Sequence, residues 1–380
     1  MFITKFAIPD IIFGHGAILS LAQCARRVGA RRILLVSDKG LEAAGWVERV
    51  IDILESDGLE VVYFNNVRPN PRDYQVHEGA EVYARERCDV IIALGGGSSM
   101  DAAKGVGTIA GNGGRIRDYE GANRIMRPLP PMILIPSTAG SGSDTTQYCI
   151  ITDVERQVKM SIISRSLVPN ISIIDPDLLL TKSRGLILSS AIDALAHAVE
   201  SYVSKLASPF TDLHSSNAIK LIIENIKPAA ADRNIDALER LSIASTSAGM
   251  AFSNAGLGSL HALAHSLGGM YDIMHGMVHP VLLPSVMRFN MHACARKMGV
   301  IGRLILGDAS RSDENAAQAG VDKLEELFND LGVNTHLRQL LPDQSNLAGI
   351  CRMATRDACH LTNPRDAQWR DLLSICEEAW

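Results

Sequence analysis

The segment D-V-I-I-A-L-G-G-G-S-S-M-D-A-A-K, residues 89–104, constrains the fold of this chain more than any other. Its apolar run has no polar alternation, so a strand here has to be covered on both faces, as in a parallel sheet. Three glycines follow at once, and they place a tight strand-to-helix turn at the carboxyl end of that strand. Backbone N–H groups and the helix dipole can receive a pyrophosphate there. The triplet is neither G-x-G-x-x-G nor a phosphate loop ending in Lys-Ser/Thr, and turns need glycine in any case, so it defines topology better than ligand.

The same pattern repeats through the first half. R-R-I-L-L-V-S-D, L-E-V-V-Y-F and P-M-I-L-I-P-S-T-A-G are short apolar runs, and amphipathic stretches near 42–56, 74–87 and 99–110 separate them. Strand and helix patterns in alternation predict a parallel α/β sheet. K-F-A-I-P-D-I-I-F-G-H-G, before the first of them, reads as an extended strand pair at a sheet edge or subunit contact. After about residue 181 the strand pattern ends, and D-L-H-S-S-N-A-I-K-L-I-I-E-N-I and E-N-A-A-Q-A-G-V-D-K-L-E-E-L-F-N-D-L-G are helical, the latter stopped by glycine. A chain of 380 residues exceeds one ordinary core. The expected organisation is an α/β domain over 1–180 and an all-helical domain over 181–380, packed closely with a cleft between them.

Composition excludes several function classes. The formal charge of -5 provides no basic field for nucleic acid. No uninterrupted apolar stretch has the length of a membrane span, and M-F-I-T-K-F-A-I-P-D lacks the basic start and apolar core of a signal segment. A cytoplasmic protein without a membrane partner is expected. Seven cysteines, odd in number and without a C-x-x-C pair, argue against a disulfide framework and a thiolate zinc site, so they read as reduced packing residues.

The chemistry is concentrated in the second half. Asp193 and His197 in S-S-A-I-D-A-L-A-H-A-V-E are four apart, on one face of a helix. His261 and His265 repeat that spacing in G-S-L-H-A-L-A-H-S-L-G-G, and His275 and His279 repeat it in M-H-G-M-V-H-P. A lone histidine on an apolar helix face is ordinarily a satisfied core residue. Four of the 11 histidines within residues 261–279, in segments apolar enough to be buried, point instead to a divalent metal site, because unpaired buried imidazoles are costly. Spacing alone leaves His261, His265, His275 and His279 equivalent.

In the first half, Asp38 ends the run I-L-L-V-S-D. A carboxylate there can accept from an adenosine ribose hydroxyl and would repel a 2′-phosphate, or it can simply cap a helix. P-S-T-A-G-S-G-S-D-T-T, residues 136–146, is a third loop after a strand and is rich in hydroxyls that can wrap phosphate or ribose.

G-G-G-S-S-M-D-A-A-K, P-S-T-A-G-S-G-S-D, D-A-L-A-H-A-V-E, H-A-L-A-H-S-L-G-G and H-G-M-V-H-P-V-L-L-P together resemble the iron-containing (group III) alcohol dehydrogenase family. The likeness runs from F-G-H-G through T-N-P-R to the closing E-E-A-W. It implies a Rossmann-like α/β N-terminal domain and an all-α C-terminal domain, the dehydroquinate synthase-like architecture, with NAD(H) and a divalent iron facing each other across the cleft. The implied ligands are Asp193, His197, His261 and His275, with Zn²⁺ as the rival ion. His265 aligns with a histidine proposed to relay protons, and a buried histidine that only hydrogen-bonds its neighbours is the plain alternative. The implied cofactor contacts are Asp38, Asn70, Gly96, Gly97, Ser98, Asp101, Ser137, Thr138, Thr146 and Lys159, of which Asn70 and Lys159 rest on the resemblance alone. The implied activity is interconversion of a small primary alcohol, or a functionalised one, and its aldehyde, by a homodimer or larger homo-oligomer. Glycerol dehydrogenase-like polyol oxidation, or a silent NAD- and metal-binding protein, is the alternative.

The chain also departs from the family pattern. Asp144 stands where glutamate is usual, Ala191-Ile192 where Gly-Met is frequent, and Met274 where proline precedes His275. Tyr148, Cys149, Phe252 and Met274 are expected to border the substrate, with core packing as the plain reading for each.

Overall fold

The computed structural model describes residues 5–380. The chain divides between Ser183 and Arg184 into an α/β unit and a helical unit. Phe6 belongs with the latter, its ring stacked 5.4 Å from that of His214.

In the α/β unit the strands are β1 (Asp10–Phe13), β2 (Arg32–Val36), β3 (Glu60–Phe64), β4 (Val90–Gly95), β5 (Gly121–Ala122), β6 (Met132–Pro136), β7 (Tyr148–Asp153), β8 (Val158–Ile163) and β9 (Ile171–Ile174). The helices are α1 (Leu21–Arg27), α2 (Lys39–Ala43), α3 (Trp46–Glu55), α4 (Asp73–Arg85) and α5 (Gly97–Asn112). Six strands form one parallel sheet in the order β1-β9-β6-β4-β2-β3. β2 lies between its two successors, so the chain winds one way to β3 and back the other way to β4. Without the edge strand β1, the order is that of flavodoxin-like doubly wound sheets, and ligands bind at the carboxyl ends of strands where the winding reverses. That point lies between β2 and β4, where Val36 pairs with Ala93.

The alternation of side chains explains the unbroken apolar runs. Ile33, Leu35, Ile92 and Leu94 point to a core completed by Leu21 of α1 and Val50 of α3. Leu34, Val36, Ile91 and Ala93 point to another, completed by Ala80 of α4 and Val106 of α5. Each fully buried Leu or Ile contributes roughly 1.5–3 kcal/mol.

Two features differ from the sequence reading. Residues 5–16 do not form the expected strand pair: among them only β1 is a strand, parallel to β9 at the sheet edge. A second sheet, β5-β8-β7, escaped the reading. Its β7–β8 hairpin turns through Gln157 at φ 54, without the glycine or proline that marks such turns.

The helical unit contains α6 (Arg184–Val203), α7 (Pro209–Asp232), α8 (Ile235–Ala255), α9 (Ser259–Tyr271), α10 (His279–Met291), α11 (Ala295–Leu306), α12 (Asp313–Leu331), α13 (Leu347–Ala354) and α14 (Trp369–Glu378). Among the described residues no strand follows Ile174. α6 is long and apolar enough to cross a membrane, yet 78% of that window is buried inside the structure. It is the central core helix, apolar nearly all round, and it carries Asp193, His197 and Glu200 into the interior.

Lys104 shows how the glycine loop and the polar loop are joined. This fully buried side chain from α5 donates to the carbonyl oxygens of Thr146 (2.7 Å) and Tyr148 (2.9 Å). Burial lowers its pKa to about 8, against the opposing pull of Asp101. Lys104→Met is therefore expected to lower the unfolding free energy by roughly 2–6 kcal/mol, about 1–3 for each carbonyl left unpaired. Urea unfolding measures this, and an unchanged midpoint would show that the amine does not anchor the loop.

Candidate active site

Four elements of the helical unit bring the ionisable side chains together. On α6, Asp193 and His197 are one turn apart, as their spacing requires. On α9, His261 and His265 are likewise one turn apart. α9 ends at Asp272 in the left-handed conformation, and a short 3-10 turn at His275–Met277 leads into α10, whose first residue is His279. Gly276 lets this turn lie against α6, since a Cβ there would sit 2.7 Å from the Ser189 carbonyl oxygen.

Asp193 Oδ1 is the common neighbour. It lies 3.7 Å from His197 Nε2, 3.8 Å from His261 Nε2 and 3.2 Å from His279 Nδ1. One donor atom from each of Asp193, His261, His275 and His279 falls within 4.8 Å of the others, a group that includes His279 and does not include the expected ligand His197, which lies 3.7 Å from Asp193 Oδ1. His197 stacks between His261 (4.4 Å) and Phe252 (4.2 Å). Ligands on bonds of about 2.0–2.2 Å lie about 2.8–4.4 Å from one another around one ion, and the carboxylate–imidazole distances fall in that range. Asp193 Oδ1 and His261 Nε2 are buried with no hydrogen-bond partner among the described residues. One carboxylate with several imidazoles suits Fe²⁺ or Zn²⁺. The residues therefore fit a divalent ion.

The electrostatics agree. Burial alone would raise the Asp193 carboxyl, but His197, His279 and His261 hold it far below the usual carboxylate range. Burial opposes a proton on His261, yet Glu200 and Asp193 raise its pKa to about 9. A field that favours a proton here also favours a metal cation.

Glu200 is the residue that sequence reasoning missed. Its Oε2 accepts from His261 Nδ1 (2.6 Å) and its Oε1 from the Leu260 amide (2.7 Å). The first contact fixes the tautomer that leaves Nε2 free as a donor atom, a carboxylate–histidine arrangement typical of metal sites. The signal was present in D-A-L-A-H-A-V-E, where a carboxylate continues the face of an otherwise apolar helix. Gly258 makes room for it, since a Cβ would lie 2.6 Å from Glu200 Oε1 and 2.8 Å from Asn363 Oδ1. His265 stacks on His275 at 5.2 Å, and its Nδ1 meets Asp357 Oδ2 at 2.9 Å.

In the α/β unit the expected cofactor residues divide into two groups. Asp38, Gly96, Gly97, Ser98, Ser137 and Thr138 follow the carboxyl ends of β2, β4 and β6, around the winding reversal. Asp38 Oδ1 caps α2 by accepting from Gly40 N (2.9 Å) and Leu41 N (3.2 Å), while Oδ2 accepts from Ser99 Oγ (3.3 Å) beside the glycine loop. The two loops touch: a Cβ on Gly97 would lie 2.9 Å from that of Ser141. Asn70, at φ 56, accepts from Lys159 Nζ (2.8 Å), so the pair carried over by resemblance is in contact. Asp101 and Thr146 instead point inward. Asp101 accepts from Ser143 Oγ (2.6 Å) and Ile150 N (3.2 Å), and Thr146 Oγ1 lies 3.3 Å from Lys104 Nζ. Of the four residues expected beside the substrate, Cys149 is fully buried core, Phe252 packs on His197, Tyr148 is half-buried, and Met274 is 53% exposed.

Residues 9–176 match the family described as iron-containing alcohol dehydrogenase, and residues 187–380 match the C-terminal part of the Fe-containing alcohol dehydrogenase family. The chain belongs to the iron-containing alcohol dehydrogenase family. Among its relatives, the NAD-dependent methanol dehydrogenase of Bacillus methanolicus is 37% identical, covering 99% of this chain and 100% of its own. The 1,3-propanediol dehydrogenase of Klebsiella pneumoniae is 38% identical, covering 99% and 98%. A crystal structure of a 1,3-propanediol oxidoreductase superposes with a TM-score of 0.96 at 38% identity, covering all of both chains.

In this iron-containing alcohol dehydrogenase, the Glu200–His261 contact is where the candidate site is most open to test. Glu200→Gln removes the charge that orients His261 and is expected to weaken divalent-ion affinity about 10–100-fold. Competition against a chelator of known affinity measures it, and an unchanged constant would reduce Glu200 to a packing role.

Proposed function

We propose that this iron-containing alcohol dehydrogenase interconverts a small primary alcohol and its aldehyde with NAD(H) and a divalent ion held by Asp193, His197, His261 and His275. The observation that carries the reading is Asp193 Oδ1, buried among converging imidazoles and with no hydrogen bond among the described residues. The substrate class follows the relatives named for methanol and 1,3-propanediol. Iron is the ion expected of the family, and a nitrogen-rich site also accepts Zn²⁺.

When bound, the ion supplies Lewis acidity toward the substrate oxygen, and the nicotinamide exchanges the hydride. The chain's own residues do the rest. One carboxylate and three neutral imidazoles leave a divalent site with a net charge of about +1, which favours an anionic oxygen. Asp357 holds His265 by Nδ1, leaving Nε2 to take up the hydroxyl proton in oxidation and return it in reduction. The amides that open α5 at Gly97 and Ser98 receive the pyrophosphate, and glycine allows its close approach. Asp38 Oδ2 accepts from the adenosine ribose and disfavours a 2′-phosphate, which selects NAD over NADP.

A cytoplasmic homo-oligomer is part of this proposal. Seven free cysteines support the compartment. The outer strand β1 supports self-association, since it exposes Ile11 and Phe13 by 36% and 39%.

A panel of short aldehydes with NADH, assayed before and after chelation and refilling with Fe²⁺ or Zn²⁺, is expected to show metal-dependent loss of absorbance near ~340 nm, the reduced-nicotinamide signal. No turnover with any aldehyde in any metal form would end the enzymatic reading. Asp38→Gly is expected to lower the kcat/KM preference for NAD over NADP by about tenfold or more, equivalent to removing about 1.4 kcal/mol of like-charge repulsion. Steady-state kinetics with both cofactors decide this, and an unaltered preference would leave Asp38 only its capping role.

A further inference from the structure

His279 is fully buried at the start of α10, and neither of its ring nitrogens has a hydrogen-bond partner among the described residues. A neutral imidazole carries one donor and one acceptor, and a core histidine ordinarily satisfies both. Leaving each unpaired costs about 1–3 kcal/mol. His279 Nδ1 lies 3.2 Å from Asp193 Oδ1, near enough for a hydrogen bond, yet the two are not aligned for one and Asp193 Oδ1 has no other. Two donor atoms at that distance, both buried and not bonded to each other, have the spacing of neighbouring ligands on one cation, about 3.0–3.4 Å for bonds of about 2.1 Å. The ring is 4.7 Å from that of His261 and stands edge-on to that of His275 at 4.5 Å. Its donor atom falls in the same 4.8 Å cluster as those of Asp193, His261 and His275. Nε2 stays unpaired in either case, so the distinction rests on Nδ1, which is buried 3.2 Å from Asp193 Oδ1 without a hydrogen bond between them.

We infer that His279 is an additional metal ligand through Nδ1, so that the ion is held by one carboxylate and four imidazoles rather than three. The inference rests on the metal-dependent reading above. Five protein donors leave one position open on a six-coordinate ion, and they fit such an ion better than the four-coordinate geometry usual for Zn²⁺. Met274 and Gly276 matter for the same reason: they flank His275 in the turn that delivers His279, and Gly276 keeps that turn against α6.

X-ray absorption on the unaltered protein, loaded with one equivalent of Fe²⁺, counts the imidazoles directly. Four are expected, and three would overturn the inference while leaving the proposed function intact. Failure of the protein to bind any divalent ion would instead overturn the proposed function. In a second measurement, His279→Gln loaded with Co²⁺ is expected to show a changed ligand-field spectrum. It is also expected to release metal to a chelator at least about tenfold more readily than the parent, the lower bound for loss of even an outer-shell partner. NADH binding and the unfolding transition report whether the variant is folded. A folded variant with the parental spectrum and affinity would overturn the inference, and if it does not fold, the imidazole count on the parent decides.

Discussion

A carboxylate buried on an almost wholly apolar helix is the constraint around which the helical unit is arranged. Among the described residues, the electrostatic partners of Asp193 are imidazoles and include no lysine or arginine. An isolated buried carboxylate would be neutralised or expelled, at a cost of several kcal/mol. The helix that carries it is surrounded, so the compensating groups have to come from neighbouring elements: α9, the turn at His275 and the start of α10. Glu200, seven residues on, adds a second buried acid. Two anions in one core thus define a cation site before any ligand is assigned.

The α/β unit solves a different problem. Its charges are few at the critical point, and the ligand-binding capacity comes from backbone. The reversal of winding between β2 and β4 opens the strand ends, the glycine loop exposes amide groups there, and Lys104 fastens the adjacent polar loop from below. Asp101, expected to meet the cofactor, supports that same loop from inside through Ser143 and Ile150. A motif residue can therefore act by shaping its loop, as Asp101 does here, without facing the loop's open side.

Much of this was legible before the structure. The unbroken apolar runs reported strands covered on both faces, and four-residue spacing put Asp193 and His197, and His261 and His265, on common faces. What remained hidden depended on helix rotation and turn geometry, which spacing does not encode. His275 and His279 were equivalent candidates because the 3-10 turn between α9 and α10 decides where each points. Glu200 passed unnoticed because its partner, His261, is 61 residues away. The β7–β8 hairpin was missed because Gln157 makes its turn without the usual residues. Asp38 posed two readings, ribose acceptor and helix cap; Oδ1 makes the cap, and Oδ2 faces Ser99 at the glycine loop.

The same accounting links the candidate metal to the stability of the fold. Among the described residues, Asp193 Oδ1, His261 Nε2 and both nitrogens of His279 make no hydrogen bond in the helical core. Asp193, His197, His261 and His279 are buried, Gly258 leaves room only for the Glu200 and Asn363 side chains, and Gly276 holds the His275 turn against the Ser189 carbonyl, so the donors are tightly held. A divalent ion that binds this arrangement and not the unfolded chain adds its binding free energy to folding. The rigidity that prevents the donors from relaxing therefore keeps them organised for the ion, so the packing of the core and the chemistry of the centre are one constraint.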